Sequence, residues 1–208
     1  MPQPNFNLYL ITDRKLTQRC DLCAVVEQAL DGGVRAIQLR EKDLDGKELF
    51  ELAEKIAVLC QRYRAQLFIN DRVDVALAVD AAGVQLGKTS MPIETARALL
   101  GQEKSIGYST HTLEEAIVAE RDGADFILFG PVYLTPSKAT YGAPQGLSAL
   151  RNIVDKIAVP VYAIGGIKTE NLAATIDSGV RGVALISAVM SAADPVRAAQ
   201  SILRMLMR

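Results

Sequence analysis

Phe129-Gly130-Pro131-Val132-Tyr133-Leu134-Thr135-Pro136-Ser137-Lys138 ends an apolar run in a turn that carries hydroxyls and an ammonium. A buried strand that stops at Gly-Pro and then offers Thr135, Ser137 and Lys138 puts donors at its carboxyl end, where parallel α/β sheets bind ligands. The same signal recurs at Gln38-Leu39-Arg40-Glu41-Lys42 and at Asn70-Asp71-Arg72, each directly after a run rich in Ile, Leu or Phe. The three stretches are expected to converge on one site.

Outward from these runs the pattern becomes regular. Eight short β-branched or aromatic segments read as strands: Leu8–Ile11, Ala36–Leu39, Gln66–Ile69, Gly83–Leu86, Ser105–Gly107, Phe126–Phe129, Val161–Ile164 and Gly182–Leu185. Between them the period lengthens to that of helices, at Cys20–Asp31, Lys47–Arg64, Pro92–Leu100, Leu113–Asp122, Leu147–Lys156, Thr169–Ser178 and Pro195–Met207. Thr112 before Leu113-Glu114-Glu115 is a helix N-cap, and Asp31-Gly32-Gly33, Asp122-Gly123 and Ser178-Gly179 close three helices. Gly followed by one small or charged residue and then an apolar strand marks the return to a parallel sheet. Eight such units predict an α/β fold, a (β/α)8 TIM barrel, as one domain over residues 1–208. An open doubly wound sheet is the alternative.

Half of the 208 residues are apolar and 23% are charged, the balance of a globular protein with a sizeable core. A formal net charge of −1 argues against a nucleic-acid partner, which calls for a basic excess. No run approaches the length of a membrane span, no secretory pattern opens the chain, and the three cysteines suit a reducing compartment, so a cytoplasmic location is expected. Cys20-Asp21-Leu22-Cys23 has C-x-x-C spacing, but no second pair completes a zinc site and the segment reads as a helix start.

The residues after each strand carry the candidate chemistry. Thr12-Asp13-Arg14 is either an N-cap with an ion pair or a polar group at the site. Period-two alternation points Gln38, Arg40 and Lys42 to one side, where two cations call for a phosphate or diphosphate, with an ion pair to Glu41 as the structural reading. Asp71 is either a salt-bridge partner for these cations or a Mg²⁺ ligand beside substrate phosphates. His111, the one histidine, is a helix-start hydrogen-bonder or an acid/base. Gly165-Gly166 and Ile186-Ser187 follow the last two strands, where such barrels cup a phosphate with main-chain N–H groups, and Leu185-Ile186-Ser187-Ala188 is expected to open the last helix. Two anion sites result, a cationic one from Arg40, Lys42 and Lys138 and a backbone one from Gly165, Gly166 and Ser187.

Gln38-Leu39-Arg40-Glu41-Lys42-Asp43, Asn70-Asp71-Arg72-Val73-Asp74, Gly130-Pro131-Val132-Tyr133, Gly142-Ala143-Pro144-Gln145-Gly146-Leu147 and Ala163-Ile164-Gly165-Gly166-Ile167 together resemble the thiamine phosphate synthase superfamily, closest overall to the synthases. The resemblance implies condensation of a hydroxymethylpyrimidine diphosphate with a thiazole phosphate and release of pyrophosphate. It assigns Gln38, Arg40, Lys42, Asn70, Ser109 and Lys138 to the pyrimidine diphosphate, and Thr135, Ser137, Gly165, Gly166, Ile186 and Ser187 to the thiazole phosphate. Arg40, Lys42 and Lys138 would neutralise the leaving group, and Asp71 would hold Mg²⁺. A homo-oligomer is implied by the resemblance alone.

One stretch departs from the synthase pattern, which after the fourth strand reads His-Leu-Gly-Gln-x-Asp with a second metal-binding Asp. Here Gln85-Leu86-Gly87-Lys88-Thr89-Ser90 puts the Ser90 hydroxyl at that metal position and adds Lys88, which could supply charge to pyrophosphate. This variant is similar to the thiazole tautomerase TenI of the same superfamily, in which His111 would move a ring proton without metal. A non-catalytic binder of thiamine intermediates is the third reading.

Overall fold

The computed structural model describes residues 4–18, 20–135 and 143–207. Within them the parallel strands β1 (Leu8–Ile11), β2 (Ala36–Leu39), β3 (Gln66–Asn70), β4 (Gly83–Leu86), β5 (Ser105–Thr110), β6 (Phe126–Phe129), β7 (Val161–Ile164) and β8 (Gly182–Leu185) follow chain order round a closed barrel. Helices α1 (Leu22–Asp31), α2 (Gly46–Arg62), α3 (Val73–Ala78), α4 (Ile93–Leu100), α5 (Leu113–Arg121), α6 (Gly146–Val154), α7 (Thr169–Ile176), α8 (Ser187–Met190) and α9 (Pro195–Leu206) lie between and after them. Every residue of β1, β2, β6 and β8 is buried. That is why, apart from Gln38 in β2, these segments read as apolar runs rather than as alternating ones.

By its contacts the chain divides into two compact units, Leu8–Val84 with Leu185–Arg208, and Met1–Asn7 with Gln85–Ala184. In the first, β1 pairs with β2 (Leu10 opposite Ile37) and β2 with β3 (Ile37 opposite Leu67). Tyr9 and Phe68 meet edge to face at 5.3 Å in its core. Helix α2 buries Leu49, Ala53, Ile56 and Cys60, a stripe at helical spacing. Its start is set by a reciprocal cap, in which the Asp45 carboxylate accepts from the Glu48 N–H at 2.9 Å and Glu48 accepts from the Asp45 N–H at 3.2 Å.

In the second unit β5, β6, β7 and β8 pair in turn. Phe6, Phe126 and Tyr162 form an aromatic cluster with centroids 4.8 to 5.8 Å apart. The Tyr162 hydroxyl donates to the Phe6 carbonyl at 2.8 Å, which satisfies a phenol that burial would otherwise strand. Arg97 clamps the buried Asp125 at 2.5 Å, and that carboxylate also accepts the Ile106 N–H at 2.7 Å.

Three expectations need correction. Strand β5 runs on to Thr110, because Tyr108, Ser109 and Thr110 pair with Ile127, Leu128 and Phe129, so Ser109 stands on a strand and not on a loop. Ser187 does not open the last helix. It starts the four-residue α8, and a new helix begins at Pro195 after Asp194 caps the Arg197 N–H at 3.0 Å. Helix α3 was not anticipated, since six residues are too few to show a helical period.

Cys20 precedes α1 and Cys23 lies in its first turn, with Asp21 between them accepting from the Ala24 N–H. Burial pushes the Cys60 thiol up to about 12, whereas Cys20 is exposed. Reactivity follows the thiolate, so a maleimide at about pH 8 is expected to label Cys20 rapidly and Cys60 only in denaturant. Mass spectrometry of the labelled peptides reads this directly, and fast labelling of Cys60 in the folded protein would contradict its burial on the inner face of α2.

Candidate active site

In the unit containing β1 to β3, β2 ends at Leu39, and the period-two alternation ends with it. Gln38 points inward and its amide donates to the Tyr9 hydroxyl at 3.3 Å. Beyond the strand, the expectation that Arg40 and Lys42 share that inner face fails, because the chain turns. The buried residue there is Glu41, its side chain 2% exposed. Its carboxylate accepts from the Thr12 hydroxyl at 2.7 Å, from the Arg14 N–H at 3.1 and 3.2 Å, and from the Arg14 guanidinium at 3.3 Å. A carboxylate so enclosed requires these donors, and its cation is Arg14, not Arg40 or Lys42.

Arg40 is half-buried and its N–H donates to the Thr12 hydroxyl at 3.0 Å. Among the described residues no carboxylate lies within ion-pair distance of its guanidinium. The Lys42 ammonium is exposed and stands 3.7 Å from Asp71, which also accepts from the Asn70 amide at 2.7 Å. Asp71 holds a left-handed backbone, φ 63°, a conformation that Asp tolerates better than most residues and that turns its carboxylate at the end of β3. Glu41, Lys42, Asn70, Asp71 and Arg72 line a cavity of about 220 Å³ with Leu39. Arg72 does not compete for Asp71, being held by Asp74 at 2.5 and 2.8 Å. Larger clefts of about 570 and 640 Å³ lie along α2 and α3 and along α4 and α5, the second lined by Lys88, Ser90 and Tyr108.

In the other unit, Gln85 is buried on β4 and donates to the Ser109 hydroxyl at 3.0 Å. The Ser90 hydroxyl accepts the Gly87 N–H at 2.7 Å and so closes the turn after β4. Lys88 faces Glu115 at 3.9 Å. His111 Nδ1 meets the Gly130 carbonyl at 2.5 Å, and the His111 main-chain N–H donates to Glu115 at 2.7 Å. One ring nitrogen of His111 is thus engaged in holding the end of β6.

The Gly130-Pro131 and Gly165-Gly166 stretches are stitched together. Val132 and Tyr133 N–H groups donate to the Ile164 and Gly165 carbonyls at 2.9 and 3.0 Å. Gly165 and Gly166 have φ of 95° and 67°, and a Cβ on Gly166 would lie 2.7 Å from the Leu134 carbonyl oxygen. Only glycine meets both demands. Thr135 is half-buried beyond this contact. Ser137 and Lys138 lie outside the described residues. In the first unit Ile186 and Ser187 stand at the start of α8, Ser187 exposed.

As a magnesium donor set, Asp71 supplies one carboxylate, and among the described residues no three His, Cys, Asp or Glu side chains gather. One carboxylate would suffice only for an ion held largely by phosphate oxygens and water, as Mg²⁺ commonly is. Two positioning groups escaped the sequence reading. Glu41 looked like a partner for its neighbours in sequence, although the acid between two cations at a strand end was the available signal. Asn171, whose amide donates to the Gly166 carbonyl at 2.9 Å while its oxygen takes the Lys168 N–H at 2.8 Å, gave none beyond its place in a first helical turn.

Residues 8–189 match the family described as Thiamine monophosphate synthase. A relative from Geobacter sulfurreducens is 51% identical over 99% of this chain and 97% of its own length. The thiamine-phosphate synthase of Clostridium novyi is 42% identical over 91% of this chain and 93% of its own. Among solved structures, the thiamine phosphate pyrophosphorylase from Pyrococcus furiosus superposes with a TM-score of 0.89 at 42% identity, covering 97% of this chain and 95% of that one.

Proposed function

Because the chain belongs to the thiamine monophosphate synthase family, we propose that it joins 4-amino-5-hydroxymethyl-2-methylpyrimidine diphosphate to a thiazole phosphate, giving thiamine phosphate and pyrophosphate. The observation that carries this reading is Arg40, a half-buried guanidinium without a carboxylate partner among the described residues, beside a second cation at the same strand end. Such a pair is suited to a diphosphate, whose charge rises as it departs.

Loss of pyrophosphate leaves a pyrimidine carbocation, which the thiazole nitrogen captures. The chemistry needs alignment and charge neutralisation more than a strong base. We assign Arg40, Lys42 and Lys138 to the leaving group, and Gln38, Asn70 and Ser109 to the rest of the pyrimidine substrate. Gly165 and Gly166 main-chain groups, with Thr135, Ser137, Ile186 and Ser187, receive the thiazole phosphate. Asp71 would hold Mg²⁺, which supplies positive charge to the diphosphate when bound, and Ser90 would contribute at most a neutral oxygen. The synthase reading takes residues 1–208 as one domain acting on small molecules in the cytoplasm. No helix among the described residues is long and apolar enough to cross a membrane.

Incubation with both phosphorylated precursors, with and without Mg²⁺, tests the assignment. Thiamine phosphate and pyrophosphate are expected in equal amounts, at a rate that falls when Mg²⁺ is removed by chelation. Isomerisation of a thiazole carboxylate phosphate without any condensation would instead favour the tautomerase.

A further inference from the structure

Arg14 lies outside every role assigned so far, yet it sits at the centre of the densest polar network at the end of β2. Its guanidinium reaches Glu41 at 3.3 Å and grips Asp43 through two bonds, at 2.5 and 3.1 Å. Its own N–H also donates to Glu41. Lys15 adds a contact to Asp43 at 2.9 Å. The residues held, 41 and 43, flank Lys42 on either side, and neither carboxylate pairs with the Lys42 ammonium, which stands instead toward Asp71 at 3.7 Å.

Two anchors one residue to each side fix the backbone at position 42. Glu41 is anchored by burial as well as by its bonds, and Asp43 by the two-pronged contact with a planar guanidinium. The Arg14 guanidinium, then Lys15, holds the Asp43 carboxyl well below the usual carboxylate range, so the clamp stays charged at any pH at which such an enzyme works. The Thr12 hydroxyl extends the same network to the Arg40 N–H. If the anchors were lost, two acidic side chains beside Lys42 would be released, and either could take up the ammonium meant for substrate.

We infer that Arg14 is a positioning residue for the diphosphate-binding cations: by clamping Glu41 and Asp43 it presents Lys42, with Arg40, to the pyrophosphate group of the substrate. This rests on the proposed synthase activity and gives the Thr12-Asp13-Arg14 cluster a role that the family assignment leaves open. Arg14 is one-third exposed but is the cation of the buried Glu41, so Arg14→Ala is expected to lower stability as well, and urea unfolding beside the kinetics shows that the variant is folded under the assay conditions.

The experiment compares wild type, Arg14→Ala, Lys42→Ala and the double variant in steady-state kinetics with each substrate varied, and in calorimetric titration with inorganic pyrophosphate. Arg14→Ala is expected to raise KM for the pyrimidine diphosphate roughly 10-fold, below the roughly 100-fold that a 1 Å misplacement can cost, with KM for the thiazole phosphate unchanged. Pyrophosphate binding should weaken in parallel. The effect should shrink to less than about 2-fold in the Lys42→Ala background, since a positioning residue has nothing to position once its target is gone. Arg14→Lys should recover part of the loss, as one prong of the clamp survives. Equal changes in both KM values, or full additivity with Lys42→Ala, would mean a merely structural role and overturn the inference. A wild-type protein that forms no thiamine phosphate would instead remove the synthase reading, and the pyrophosphate titration would still report whether Arg14 sets anion affinity.

Discussion

Replacing Arg40 by alanine is expected to lower kcat/KM for the pyrimidine diphosphate at least about 100-fold, roughly 3 kcal/mol of transition-state stabilisation. The size follows from what surrounds the guanidinium. Arg72 and Arg14 are each neutralised by carboxylates within hydrogen-bond distance, whereas Arg40 has none among the described residues, and its backbone is fixed by the Thr12 hydroxyl. A half-buried charge held in this way is already oriented for an anion and needs no partner broken before it acts. Lys42 is different, because Asp71 at 3.7 Å competes for it. Its truncation should therefore cost less than that of Arg40. Folding stability should hold or rise in Arg40→Ala, since a cation without a carboxylate partner among the described residues is removed from a partly desolvated place. Steady-state kinetics beside urea unfolding separates the two outcomes. A variant that retains kcat/KM within about 3-fold of wild type would show that the leaving group is met elsewhere.

Much of this arrangement is legible in the amino-acid sequence. Strands buried on both faces are recognisable as short apolar runs, and β1, β2, β4, β6, β7 and β8 carry the bounds expected for them. Strand β5 escaped in part because Tyr108, Ser109 and Thr110 are polar enough to look like a turn, while their backbone pairing with β6 keeps them extended. Tyr108 and Thr110 are themselves good strand formers, so polarity alone was a poor turn signal there. The burial of Glu41 was hidden for a related reason. Alternation predicts sidedness only while a strand lasts, and β2 stops two residues earlier. What closes round Glu41 comes from Thr12 and Arg14, 29 and 27 residues away, a contact that no local pattern encodes. The engagement of His111 with the Gly130 carbonyl is likewise a tertiary fact, and it gives this histidine a hydrogen-bonding role at the end of β6.

Gly130→Ala is expected to be among the most damaging single methyl additions in the barrel. A Cβ there would lie 2.0 Å from the Ile164 carbonyl oxygen, 2.9 Å from its carbonyl carbon and 2.9 Å from its side chain. The clash is with main chain, so no rotamer change relieves it. Gly130 is further fixed by its N–H to the Thr110 carbonyl at 3.3 Å and by His111 on its own carbonyl. Relief requires β6 and β7 to part, which also loosens the Val132 and Tyr133 bonds beside Gly165. The cost should be about 3 kcal/mol or more, a fall in urea midpoint of roughly 1 to 2 M. Gly123→Ala is the informative control. Its φ of 100° makes alanine uncomfortable, but nothing lies within 4 Å of the added methyl, so about 1 kcal/mol is expected from backbone conformation alone. If the Gly130 variant unfolded at the same urea concentration as the Gly123 variant, the close approach of Gly130 to Ile164 would be wrong. With it would go the reason for a glycine at the turn that packs against the Ile164-Gly165 main chain.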